Sequence, residues 1–159
     1  MNEKFIKETV DAIVEEIVRP SNDMTLEAAL ILCRKVMKKA KEKGVKAVVA
    51  VTNKGANPVT VQCSDDSFIA SYDIALNKAY TSVALKMTTK ELAALAAPGG
   101  SLYGIQFTNG GKIVIFGGGE PLKNKNGEVI GGIGVSGGSE EQDTYLAGYG
   151  REIFEKGTV

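Results

Sequence analysis

Histidine and tryptophan are absent from the 159 residues, and cysteine occurs only twice. Without imidazole there is no Ser/His/Asp triad, no Cys/His dyad and no histidine metal ligand, which removes most familiar hydrolase and metalloenzyme chemistries. Cys33 and Cys63 lack the paired spacing of a zinc site and cannot staple a small secreted scaffold, so reduced, packed thiols are expected. Charge of either sign is not in excess: 19 basic side chains face 19 acidic ones, which disfavours a polyanionic partner. No apolar run approaches the roughly 18 residues that a membrane span needs, and the N-terminus lacks the uncharged core of a secretory signal. These absences predict a cytoplasmic protein with neither a nucleic-acid nor a membrane partner. What is present, 43% hydrophobic residues over this length, suffices for one buried core and a short appendage.

The appendage comes first. In residues 1–19, Ile6, Val10, Ile13, Val14 and Ile17 share one side at helical spacing, and Lys4, Lys7, Glu8, Asp11 and Glu15 occupy the other. Pro20 to Asp23 interrupt this pattern, making residues 20–24 a linker and 25–156 the main domain. Thr25 caps a second helix that carries Leu26, Ala29, Leu30, Cys33, Val36, Met37 and Ala40 on one side and stops at Gly44. Val45–Val51 and Val59–Cys63 form a hairpin about the turn Asn53–Pro58. Asp66 or Ser67 caps a long helix through Met87, and Thr88 or Thr89 a shorter one over Lys90–Ala97, stopped by Pro98, Gly99 and Gly100. Short strands follow at Lys112–Phe116, Glu120–Lys123 and Val129–Val135, then a helix with Glu140, Glu141 and Asp143 in its first turn, beside the positive end of its dipole. The order ααββααβββα lacks regular strand–helix alternation and predicts an α+β fold with an antiparallel sheet.

Nineteen glycines, concentrated between Gly99 and Gly150, suggest that backbone rather than side chains meets a ligand. Gly132, Gly134 and Gly137 match G-x-G-x-x-G, but two of them lie inside a strand and no later strand carries an acidic ribose ligand, so dinucleotide binding is disfavoured. Ser136, Gly137, Gly138 and Ser139 open a helix, where free amides and hydroxyls suit a carboxylate or phosphate. Gly117, Gly118 and Gly119, with Thr108, Asn109, Gly110 and Gly111, line the same cleft if the strands bring these loops together; plain tight turns are the alternative. Tyr72, Ala75, Ala79, Ser82 and Val83 read as a close-packing stripe. Lys78 among them is a candidate anion clamp or Schiff-base nucleophile, but the sequence shows no cause for a lowered pKa. Arg34, Lys35, Lys38, Lys39, Lys41 and Lys43 read as a solvated helix face, and Met24, Met37 and Met87 as packing residues.

Several ordered motifs carry a family likeness: Tyr72-Asp73-Ile74-Ala75, Lys78-Ala79-Tyr80-Thr81, Pro98-Gly99-Gly100-Ser101-Leu102-Tyr103-Gly104-Ile105, Thr108-Asn109-Gly110-Gly111, Phe116-Gly117-Gly118-Gly119-Glu120-Pro121-Leu122 and Ile133-Gly134-Val135-Ser136-Gly137-Gly138. Over about Met24 to Lys156 the chain resembles the GlcG/HbpS-like family, also found as the C-terminal domain of PduO-type corrinoid adenosyltransferases. The resemblance implies a profilin-like antiparallel sheet of about five strands flanked by helices, a homo-oligomer, and haem or corrinoid binding in some members. Iron ligation through histidine does not carry over, because this chain has none. Nor does adenosyl transfer, which belongs to a separate N-terminal domain of those enzymes. Residues 1–19 resemble the encapsulation peptides of bacterial microcompartments, which implies a shell-protein partner. The resulting expectation is a non-catalytic tetrapyrrole-binding or sensing module, cytoplasmic and packaged in a microcompartment, with Tyr103 as a stacking surface. An enzyme acting on a small carboxylate or aldehyde through Lys78 and Asp143, and a structural adaptor without ligand, are the alternatives.

Overall fold

Residue size alternates along the central strands, and this alternation builds two unlike layers. The computed structural model of the chain describes residues 2–18 and 22–159, without the side chains of 12–18. Helix α1 spans Glu3–Val18 and α2 Leu26–Glu42; strands β1 (Val48–Asn53) and β2 (Pro58–Cys63) precede helices α3 (Ala70–Leu85) and α4 (Thr89–Ala96). Two 3₁₀ turns, Ile105–Phe107 and Asn109–Gly111, lead to β3 (Gly119–Lys123), β4 (Val129–Ser136) and α5 (Glu140–Glu155). The sheet is antiparallel in the order β2-β1-β4-β3.

On one face, Val49, Val51, Leu122, Ile133 and Val135 meet Leu32, Cys33, Val36, Leu146 and Ala147 of α2 and α5 in a continuous apolar core. Each fully buried Leu or Ile there is worth roughly 1.5–3 kcal/mol of transfer free energy. The opposite face carries Val48 and Ala50 of β1 with the bare backbone of Gly132 and Gly134, and α3 lies on it through Ala75 and Ala79. A Cβ at Gly134 would overlap the Ala75 carbonyl oxygen, so helix and strand approach backbone to backbone. The stripe of small residues is therefore a packing seam, and the G-x-G pair serves it.

The α+β class and the helix order stand, with four strands in the described sheet. Lys112–Phe116 is not one of them, because Thr81 on α3 takes the backbone groups a ladder would need. Its Oγ1 accepts from the Val114 N–H at 3.0 Å and shares its one proton between the Asn77 carbonyl at 2.7 Å and the Lys112 carbonyl at 3.2 Å. Helix α3 starts at Ala70 rather than after Asp66 or Ser67; Asp66 sits in the left-handed region and faces the Lys46 ammonium at 3.2 Å. On α2, Ala29, Cys33, Val36 and Ala40 are buried as expected, whereas Leu26 is exposed and Leu32 joins the buried side. Thr25, Thr88 and Ser139 do cap their helices, the last two as capping boxes with Glu91 and Gln142. Burial pushes the Cys33 thiol up to about 12, leaving it inert, and Cys63 is free and exposed. Arg19, Pro20 and Ser21, and the side chains of Ile13, Val14 and Ile17, lie outside the described residues.

Candidate functional site

The seam that draws α3 onto β4 also carries Lys78 into the interior. Ser71, Ala75, Lys78 and Ser82 follow one another at three- and four-residue steps with Ala79 beside Lys78, so Lys78 sits on the buried face with residues far smaller than itself. Its amine is fully enclosed, donating to the Val135 carbonyl at 2.8 Å and to Asp143 Oδ2 at 2.9 Å. The Phe116 ring covers it with the centroid 4.9 Å away. Asp143, only 4% exposed in the first turn of α5, accepts at Oδ1 from the Gly138 N–H at 2.9 Å, so both its oxygens are engaged. Burial pulls the Lys78 ammonium below the ordinary lysine value, and the Asp143 carboxylate offsets part of that pull.

Glycines make the space. Gly118 has φ +114°, and a Cβ there would stand 2.7 Å from Lys78 Nζ. Any other residue would strain the backbone and displace the amine. The adjoining amides are held by side chains: Gly117 N–H by Glu140 Oε1 at 2.8 Å and Gly119 N–H by Thr89 Oγ1 at 2.9 Å. Beside this pair opens a cavity of about 280 Å³ whose walls include Phe68, Ser71, Phe116, Ser136, Gly138 and Asp143. Ser136 Oγ donates to Ser71 Oγ at 3.1 Å on that wall.

The expected binding residues divide between two places. Ser136, Gly137 and Gly138 line the cavity, and Gly117, Gly118 and Gly119 pass behind the Lys78–Asp143 pair. The amides of the helix opening are not free: Gly138 gives its N–H to Asp143, and Ser139 gives its own to Gln142 Oε1 at 2.9 Å. Tyr103, Thr108, Asn109, Gly110 and Gly111 are exposed and are not part of the cavity wall. They belong to the loop beside the later turns of α3, where Asn109 Nδ2 donates to the Tyr80 hydroxyl at 3.3 Å. Phe68, Ser71 and Phe116 were not anticipated; for Ser71 the helical step to Ala75 and Lys78 carries the signal, whereas Phe68 and Phe116 precede irregular backbone. A wider groove of about 600 Å³ around Met87 holds Lys86, Lys123 and Arg151 against Glu91 and Glu155, with Arg151 bonded at 2.6 Å to the buried Glu120. Its charges neutralise one another, so it has no marked preference for an anion. Among the described residues no group of three or more carboxylates and thiols is placed to hold a metal ion.

Residues 24–152 match the family described as haem degrading protein HbpS-like. The chain belongs to the HbpS-like family. This HbpS-like chain is 47% identical over 133 residues to an uncharacterised 15.0 kDa protein of the dhaT–dhaS intergenic region of Citrobacter freundii, covering 84% of the chain and 93% of that relative. It is 34% identical over 128 residues, 80% of the chain, to the corrinoid adenosyltransferase PduO of the same organism, but spans only 38% of it. A solved PduOC–haem complex superposes with a TM-score of 0.78 at 34% identity, over 82% of this chain and 94% of that one. No helix among the described residues is long and apolar enough to cross a membrane.

Proposed function

We propose that this HbpS-like chain is a tetrapyrrole-binding or sensing module with haem as its first candidate guest. The observation that carries this reading is an exposed aromatic pair in the cavity wall, Phe68 at 72% and Phe116 at 40%, with Ile69 and Tyr72 exposed on the stretch of chain that follows Phe68. Isolated exposed apolar residues need no explanation, but an exposed aromatic pair in a cavity wall is a binding surface. A relative of 34% identity holding haem supports the same guest. The donor set fits on one condition. The 280 Å³ cavity is too small to enclose a porphyrin, so a ring would have to lie against the exposed Phe68 and Phe116, and without imidazole its iron would need an oxygen donor, for which the half-exposed Tyr72 phenol, next in sequence to the wall residue Ser71, is the candidate. When bound, the iron supplies one-electron and dioxygen chemistry. Phe68 and Phe116 would cover the ring face and exclude water from it, and Ser136 to Gly138 supply the polar part of the wall. A second copy of the chain covering the outer ring face accounts for the same exposed side chains, so a homo-oligomer is part of this proposal.

Titration of the purified chain with haem, followed by Soret absorbance, tests the reading, with a cobalamin titration in parallel. Saturable Soret change is expected with haem, and altered visible bands for Tyr72→Phe. A response to cobalamin alone moves the assignment to a corrinoid, and flat curves for both remove it.

We also propose that α1 is a docking helix that delivers the domain to a microcompartment shell in the cytoplasm. Phe5, Ile6 and Val10 expose apolar side chains on a helix of 16 residues, a length marginal in isolation, and such a helix gains most by finding a groove. Co-sedimentation with purified shells is expected for the full chain and lost on deletion of residues 1–20; equal sedimentation of both sinks the idea.

A further inference from the structure

Lys78 is not needed to hold a flat aromatic guest against Phe68 and Phe116, yet the fold goes to some length to enclose it. A buried lysine–aspartate pair gains little stability over apolar residues of similar volume, because desolvation offsets the attraction. Here the enclosure also requires a left-handed glycine at 118 and bare strand backbone at 134. The pair stands one side chain away from a cavity: Asp143 is in its wall, and the cover over the amine is Phe116, itself a wall residue on irregular backbone followed directly by Gly117 and Gly118. The following backbone is held by Glu140 and Thr89, so a half-exposed ring there moves by turning about its own side-chain torsions.

We infer that Lys78 and Asp143 form an imine-forming site for a small, uncharged aldehyde admitted to the 280 Å³ cavity when the Phe116 ring moves aside. The volume suits a guest of a few carbon atoms. Apart from the ion pair and the Glu140 carboxylate, which accepts from the Gly117 N–H, the cavity walls offer hydroxyls, backbone and apolar side chains, and these suit an uncharged carbonyl compound better than an anion. The first step transfers a proton from the ammonium to Asp143 Oδ2 along their 2.9 Å hydrogen bond, giving a neutral amine and a neutral acid. Burial weakens the ammonium's hold on its proton and so eases this transfer. The nitrogen lone pair then forms a bond to the carbonyl carbon, the π pair moves to oxygen, and one amine proton passes to that oxygen to give a carbinolamine. Asp143 returns its proton to the hydroxyl, which leaves as water while nitrogen donates its electrons to form the protonated imine. Aldehyde and ammonium thus become iminium and water, the carboxylate is regenerated, and no oxidant or reductant is consumed.

Imine formation at Lys78 is independent of haem, and its test uses the full chain without added haem. Butanal with sodium cyanoborohydride reduces any imine to a stable butylamine, which peptide mass mapping locates. Lys78 is expected to be butylated in the folded protein at aldehyde concentrations that leave the exposed lysines, such as Lys46 and Lys112, mostly unmodified. Phe116→Ala is expected to accelerate Lys78 labelling by removing the cover. Asp143→Asn, with folding checked by near-ultraviolet dichroism, is expected to slow it about 100-fold by removing the acid of the dehydration step. Exposed lysines labelled while Lys78 stays intact in the wild-type chain would overturn the inference whether or not either variant folds. Labelling of Lys78 that is undiminished in a folded Asp143→Asn chain would overturn it as well.

Discussion

The two faces of the sheet solve opposite problems. Against α2 and α5, Val49, Val51, Ile133 and Val135 interlock with Leu32, Val36 and Leu146, and the buried Glu120 opposite Ile133 on the edge strand is paired with Arg151 of α5. Against α3, the strands present Val48, Ala50 and glycine backbone, and the space this frees is taken by Lys78, Thr81, Ser82, Ser71 and Ser136. Apolar burial is non-directional and tolerant of substitution, whereas a buried polar network is stabilising only if every member finds a partner. The first face therefore carries most of the fold's stability, and the second spends some of it to hold an amine, a carboxylate and two hydroxyls in fixed positions beside a cavity.

Removing one member of the ion pair puts the greatest stress on this contrast. Lys78→Met leaves Asp143 buried without its cation and is expected to cost about 3–5 kcal/mol in urea unfolding. The double variant Lys78→Met with Asp143→Leu restores most of that loss, because two well-packed apolar chains replace two desolvated charges. On the apolar face Leu146→Ala costs a similar amount, about 2–5 kcal/mol, but no second substitution by a polar residue recovers it. If the double variant is as unstable as the single one, the polar face is a source of stability in its own right and the contrast fails.

How much of this was legible beforehand follows from the length scale of each signal. Caps are local: Thr25, Thr88 and Ser139 each satisfy an amide three residues away, so sequence spacing identifies them. The continuous apolar run of Val45–Val51 is equally local and reads as a buried strand, which forms as β1 over Val48–Asn53. Lys112–Phe116 carried the same apolar pattern yet is no strand, since the partner that takes its backbone groups, Thr81, lies more than thirty positions earlier. The Lys78–Asp143 pair spans 65 positions. Each residue was visible as a polar actor on its own helix, but the desolvation that changes the lysine arises only when α3, α5 and the Gly117–Gly118 turn converge. The separation of Thr108–Gly111 from the cavity has the same origin: glycine-rich turns look alike in sequence, and only the course of α3 assigns them to different places.

A smaller effect probes the same contrast without disrupting the fold. Lys78 is pulled below the ordinary lysine value near 10.5 in the native chain and returns to it on unfolding. Between those two pKa values the unfolded chain holds a proton that the native chain lacks, so this site makes stability rise with pH across that window. Surface pairs such as Lys39–Glu42 act in the reverse sense, because the partner raises the lysine's native pKa and the stability it adds is lost as pH climbs. The informative quantity is therefore a difference: stability of the wild-type chain minus that of Lys78→Met, measured by urea unfolding between about pH 8 and pH 10, with surface titrations cancelling. That difference is expected to grow as pH rises toward the ordinary lysine value, because the native chain releases this proton before the unfolded one does. Leu146→Ala, on the apolar face, should follow the wild-type curve at a constant offset. A difference for Lys78→Met that shrinks with pH would mean that Asp143 more than compensates for burial. The amine would then remain locked as an ammonium, and the polar face would be a structural clamp rather than a reactive one.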